Sequence, residues 1–120
     1  MFMKSIAVDW NSIPVTPTRV GAVRQFFQMP TPLLEELECH VTTLNPGASP
    51  HPPHRHRDEE MVIVKEGELK AQLADEVVRV GTGSMLFVAS NELHGWTNTG
   101  SLPATYYVIR FRTAENSQVE

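Results

Sequence analysis

The sequence predicts an all-β domain, a sandwich or closed barrel, and three observations carry that prediction. No stretch keeps the i, i+3, i+4, i+7 apolar spacing of a long helix without a proline interrupting it. Short β-branched and aromatic runs recur at roughly 8–12-residue intervals with turn chemistry between them. Nine prolines and seven glycines in 120 residues suit a turn-rich chain better than a helical one.

The elements follow in order. Residues 1–33 carry Pro14, Pro17 and Pro30, with Trp10, Phe26 and Phe27 in no firm period. They read as an extended arm that packs on the barrel or across a dimer. Residues 32–37 allow one helical turn at most. Residues 37–44 alternate like a strand, and Asn45-Pro46-Gly47 closes them. Five further runs each end in their own turn: 60–65, 68–74, 77–80, 84–89 and 93–97. Within the fourth, Met85, Leu86, Phe87 and Val88 all read as core. The last run, 104–111, is rich in β-branched and aromatic residues. The barrel therefore spans 34–113, between the arm at 1–33 and a polar tail at 114–120. No internal repeat divides it.

Composition excludes several function classes. A net charge of −4, from 14 acidic and 10 basic side chains, leaves no electrostatic footprint for nucleic acid. The lone Cys39 excludes an intramolecular disulfide and a cysteine-based zinc finger, and it reads as a small buried filler. No apolar run approaches the roughly 18–20 residues of a membrane span. The first five residues show no hydrophobic signal segment. The expectation is a soluble, cytoplasmic protein with no nucleic-acid or membrane partner.

The histidines are unevenly placed. Three of the five, His51, His54 and His56, fall within six residues of a proline-rich loop. His54 and His56 are two apart, so on an extended chain both point to one side. Glu60 follows at the head of a strand, with Val62 and Val64 on its own face; Glu59 lies on the other. A carboxylate leading an apolar face needs a partner. Two imidazoles and a carboxylate together suit a divalent first-row metal. His94 is the fourth candidate, because in a closed antiparallel barrel its position can come opposite the other three.

Trp96 and Asn98 share the face of His94. They are expected, with Val62 and Val64, to line an apolar cavity holding few polar groups. His51, ahead of two prolines, reads as exposed. His40 shares a strand face with Glu38 and Thr42, turned either to solvent or to the cavity. Arg110 and Arg112 share a face with Tyr106 and suit salt bridges at a rim or dimer contact, with Arg110 able to reach an anionic ligand.

These residues resemble a known family. Gly47, His54-Arg55-His56, Glu60 and Gly67 resemble the first cupin motif, with Gly47 one residue further from His54 than usual. Gly83, Ala89, Asn91, His94 and Asn98 follow the second, with Ala89 and Asn91 where the family usually has proline and glycine. The resemblance covers about residues 37–112 and is closest in kind to small single-domain bacterial cupins of the RmlC-like type. It implies a jelly-roll barrel, a double-stranded β-helix, with His54, His56, Glu60 and His94 as metal ligands. One divalent transition metal ion per chain is expected, drawn from Fe, Mn, Ni, Co and Zn.

The family hosts many reactions, so the fold alone does not choose one. The functional expectation is a metal-dependent enzyme of dioxygenase or isomerase type acting on a small oxygen-bearing organic molecule. The alternative is a non-catalytic module that binds or senses a small ligand. An isologous homodimer is expected, since pairing covers sheet edges and apolar surface together.

Overall fold

A computed structural model describes residues 1–114 of the chain. Residues 115–120, most of the expected polar tail, lie outside the described residues. The strands are β1 (Thr16–Thr18), β2 (Gly21–Met29), β3 (Glu36–Leu44), β4 (Glu59–Glu66) and β5 (Glu68–Leu73). They continue as β6 (Glu76–Gly81), β7 (Met85–Val88), β8 (His94–Thr97) and β9 (Ala104–Arg112). All pair antiparallel, in one sheet of order β1-β2-β3-β9-β4-β7 and a second of order β6-β5-β8. Among the described residues no helix is long and apolar enough to cross a membrane.

The two sheets close on one core. The large sheet contributes Leu44, Val62, Val64, Leu86, Val88, Ala104, Tyr106 and Val108; the small one contributes Leu69, Ala71 and Trp96. This is the jelly roll that the resemblance implied, and the recurring runs and turns had predicted a sandwich or barrel.

Register decides what faces the interior. Because β9 lies between β3 and β4, rows of side chains cross all three strands. One row is Glu38, Arg110, Glu60; the next is His40, Val108, Val62; the third is Thr42, Tyr106, Val64. The period of two keeps all nine on the inner face. One sharp turn needs a glycine. Gly67, between β4 and β5, has φ +86°, and a Cβ there would lie 2.8 Å from the Ala104 Cα.

Three local expectations change. Residues 1–33 do pack on the barrel, but 16–29 form β1 and β2 of the large sheet, so the boundary at 33 falls inside one sheet. Their period is unreadable because a β-bulge between Gln25 and Phe27 breaks the alternation. Trp10, in a short 3₁₀ turn, meets Phe26 and Tyr107 at 6.2 Å between ring centroids. The Arg24 guanidinium sits 4.3 Å from the Trp10 ring centre, which anchors the arm to its own sheet.

Residues 31–34 form no helical turn. The Thr31 hydroxyl accepts from the Leu33 and Leu34 N–H groups instead. In β7 only Leu86 and Val88 are core. Met85 and Phe87 are 56% and 52% exposed, because a strand at a sheet edge buries one face only.

Candidate metal centre

The proline-rich loop is fixed to the head of β8 by a closed pair of backbone hydrogen bonds. His54 N–H donates to His94 O at 2.9 Å, and His94 N–H donates back at 3.0 Å. Gly95 allows this approach, since a Cβ there would meet the Pro53 Cα at 3.0 Å. The backbone thus sets two imidazoles side by side before any ligand is considered. Asn91, where the motif usually has glycine, has φ +64°, a left-handed conformation that asparagine tolerates. Its N–H donates to His56 O at 2.8 Å, which ties the third histidine to the same corner.

The rings of His54, His56 and His94 stand 4.6–5.0 Å apart. Their ligand atoms all lie within 4.8 Å of one another. His56 Nδ1 bonds to Asp58 O at 2.8 Å and His94 Nδ1 to Glu92 O at 2.9 Å. Each bond makes Nδ1 the protonated nitrogen and leaves the Nε2 lone pair for the cluster. Glu60 Oε1 lies 3.5 Å from His56 Nε2 and 3.3 Å from His94 Nε2. The structure therefore brings together all four residues that the motifs singled out.

Electrostatics agree with a cation site. Burial and the neighbouring His51, His94 and His56 push His54 down to about 4, so it stays neutral at ordinary pH. Burial works against ionisation of Glu60, but the nearby His56 and His94 imidazoles bring it down to about 2. The neighbouring Glu60 carboxylate raises His56. His94 Nε2 is buried without a hydrogen-bond partner, since the 3.3 Å approach of Glu60 is misaligned for one. An orphaned buried lone pair facing a carboxylate and two imidazoles fits a divalent transition metal.

The centre opens into a cavity of about 220 Å³. Trp96 lines it as expected, stacks on His94 at 5.9 Å, and donates from Nε1 to the Tyr106 hydroxyl at 2.9 Å. Three expected lining residues do not reach it. Val62 and Val64 point inward but lie in the packed core. Asn98 is fully buried; its Nδ2 donates to Leu44 O and Leu102 O, and its Oδ1 accepts from Gly100 N–H.

The opposite wall is more polar than the apolar rim that sequence suggested, because β9 and β3 bring Arg110, His40 and Thr42 to it. Their shared strand faces were readable; their turning inward was not. His51 is not exposed on the surface but half-buried, its ring 3.8 Å from that of His54. A larger hollow of about 370 Å³ shares only His51 and Trp96 with the cavity and holds none of the imidazole cluster.

Comparison with known proteins gives the same picture. No curated protein sequence matches the chain significantly. An RmlC-like cupin from Shewanella frigidimarina is similar in structure, with TM-score 0.76 at 16% identity over 98% of this chain and 99% of that one. KdgF from a Halomonas species gives 0.74 at 16% identity, over 93% and 98%. The polyketide cyclase RemF from Streptomyces resistomycificus gives 0.69 at 21% identity, over 94% and 86%. At these identities the likeness speaks for the fold. The Cupin domain family model matches residues 40–110, which include all three imidazoles, Glu60, and His40, Thr42 and Arg110 of the opposing wall. The chain therefore belongs to the cupin family.

Proposed function

We propose that the protein is a metal-dependent enzyme of isomerase type acting on a small oxygen-bearing organic molecule. The observation that carries this reading is the buried, unpartnered His94 Nε2 within a three-imidazole cluster that opens on a cavity. His54, His56, His94 and Glu60 would hold one divalent ion of Fe, Mn, Ni, Co or Zn, which supplies Lewis acidity to a bound oxygen atom. Trp96 offers a flat apolar wall. A cavity of about 220 Å³ has room for about seven waters' worth of ligand, which restricts the substrate to a small molecule. Ionisable groups on the wall facing the cluster favour proton movement over dioxygen chemistry. The polyketide cyclase among the similar structures supports a barrel of this kind working on oxygen-rich organic molecules.

The test loads metal-free protein with each ion in turn and measures bound metal by elemental analysis. Small diketones, hydroxy acids and 2-oxo acids are then followed by NMR for turnover and by an oxygen electrode for dioxygen uptake. Isomerisation without oxygen uptake supports the reading. Uptake of dioxygen moves the protein to the dioxygenases, and tight binding without turnover makes it a ligand-binding module.

We further propose that two copies pair through the outer side of β7. Its edge is unpaired in the sheet and its outward Met85 and Phe87 are exposed, so a second copy covers both at once. Light scattering at micromolar concentration should give a dimer, and M85K with F87K should give monomers. A monomeric native protein overturns this.

A further inference from the structure

Across the cavity from the imidazole cluster lies an ionisable pair that metal binding does not use. Glu38 is only 3% exposed. Its Oε2 accepts from Gln25 Nε2 and from His40 Nδ1, each at 2.8 Å. Its Oε1 is buried without a hydrogen-bond partner, 3.8 Å from Arg110 Nη2. Burial alone would raise the Glu38 carboxyl, but the hydrogen bonds from His40 and Gln25 and the charge of Arg110 hold it below its ordinary value. It is therefore a buried carboxylate bonded to an imidazole that lines the cavity. Since Nδ1 is taken by Glu38, Nε2 is the nitrogen left for the cavity. A base with a second group to orient it is the arrangement general acid–base catalysis needs.

The rest of the wall narrows the chemistry. Among the described residues no cysteine, serine or lysine lines the cavity, and Thr42 is the one aliphatic hydroxyl there. Tyr106 is pushed up to about 12 by burial and stays protonated, so it is no base. Arg110 reaches the cavity with its Nε buried and without a hydrogen bond, 3.5 Å from Asp58 Oδ2. A carboxylate on the ligand suits that guanidinium.

We propose that His40 is a catalytic acid–base residue, positioned by Glu38, that moves a proton on a small 2-oxo acid held in this cavity. This rests on the metal-dependent reading above. In the step, His40 Nε2 takes a proton from the carbon beside the carbonyl. The C–H bonding pair becomes the C=C pair of an enolate, and the carbonyl π pair moves to oxygen. The proton then returns from Nε2 to carbon, so no oxidant, reductant or second substrate is consumed. The charged or titratable groups that line the cavity with His40 are Tyr106 and Arg110 from β9, Glu60 from β4, and His51, His54 and His56 from the loop; Asp58 meets Arg110 at 3.5 Å, and Gln25 from β2 is neutral.

The experiment has two arms. In D₂O, proton NMR follows exchange at C3 of pyruvate and 2-oxobutyrate with zinc-loaded protein, with zinc content measured in parallel. Native protein should exchange at least ~100-fold faster than free zinc at equal concentration, and H40Q should lose at least ~100-fold at unchanged zinc content. E38Q should lower the exchange rate at unchanged zinc content, because it removes the carboxylate that orients the His40 ring at 2.8 Å, and E38D should restore part of the rate. Exchange no faster than free zinc, or equal rates in native protein and H40Q, overturns the proposal.

The second arm uses ¹⁵N-histidine NMR on metal-free native protein, which needs neither a variant nor a metal. His40 protonated at Nδ1 and bare at Nε2 supports the dyad, and the opposite tautomer overturns it. Native protein that binds no zinc refutes the metal reading, while the tautomer still decides the dyad.

Discussion

His56→Ala gives the sharpest quantitative test of the metal centre. His56 is half-buried and bonds from Nδ1 to a backbone carbonyl, so its removal spares the barrel core while taking away one imidazole of three. A chain of 120 residues has an unfolding entropy of about 250 cal/mol/K at its midpoint. Metal at ~1,000 times its Kd stabilises the folded state by ~4.1 kcal/mol, which is about 16 °C in Tm. Loss of a ligating imidazole should weaken binding by at least the ~100-fold that losing an outer hydrogen-bond partner can reach. The same metal concentration then contributes ~1.4 kcal/mol, or about 6 °C. The assay is thermal unfolding by circular dichroism, with metal-free protein compared with Ni, Zn, Mn, Co and Fe(II) additions. Native protein should gain about 10 °C more than the variant with the preferred ion. No gain with any ion, or an equal gain in both proteins, refutes the reasoning.

Tyr106→Phe removes the hydroxyl that accepts from the buried Trp96 Nε1. The orphaned donor should cost ~1–3 kcal/mol, read as a Tm lower by about 4–12 °C. Gly67→Ala combines a φ of +86° with a Cβ 2.8 Å from the Ala104 Cα, so it should cost more than the ~1–2 kcal/mol of left-handed backbone alone. Gly81→Ala, with open space at its Cβ, is the control and should cost well under that in urea unfolding. Glu38 is more acidic folded than unfolded, so the unfolded chain takes up its proton first as pH falls. Its contribution is complete above its ordinary value of 4.5 and is lost as pH falls through the folded value. Glu38→Gln should accordingly flatten the fall in Tm between pH 6 and 3.

The fold was legible because an antiparallel barrel writes itself in period two. Residues 60–65 and 104–111 are short runs rich in β-branched or aromatic residues, and the structure sets alternate residues of each on one face as β4 and β9. The bulge at Gln25 and Phe27 shows the limit of that signal, since one extra residue hides a nine-residue strand. Met85 and Phe87 show another. Alternation separates two faces, but only the packing of the two sheets decides that Leu86 and Val88 face the core and Met85 and Phe87 do not.

By itself, through two motifs, the sequence singled out the four residues of the candidate metal centre. His54, His56 and Glu60 are held by seven residues of local chain, and His94 is marked by its own motif. Only the tertiary structure decided the opposite wall. Strand parity fixes which face a side chain takes, not which strand lies beside it or how deep it sits. Placing β9 between β3 and β4 set Arg110 between Glu38 and Glu60 and turned His40 to the cavity. The same placement buried Val62 and Val64 in the core, and the turn after β8 engaged Asn98 with three backbone groups. Contacts between residues about 70 positions apart follow from strand order, and strand order is settled by the whole core burying itself at once.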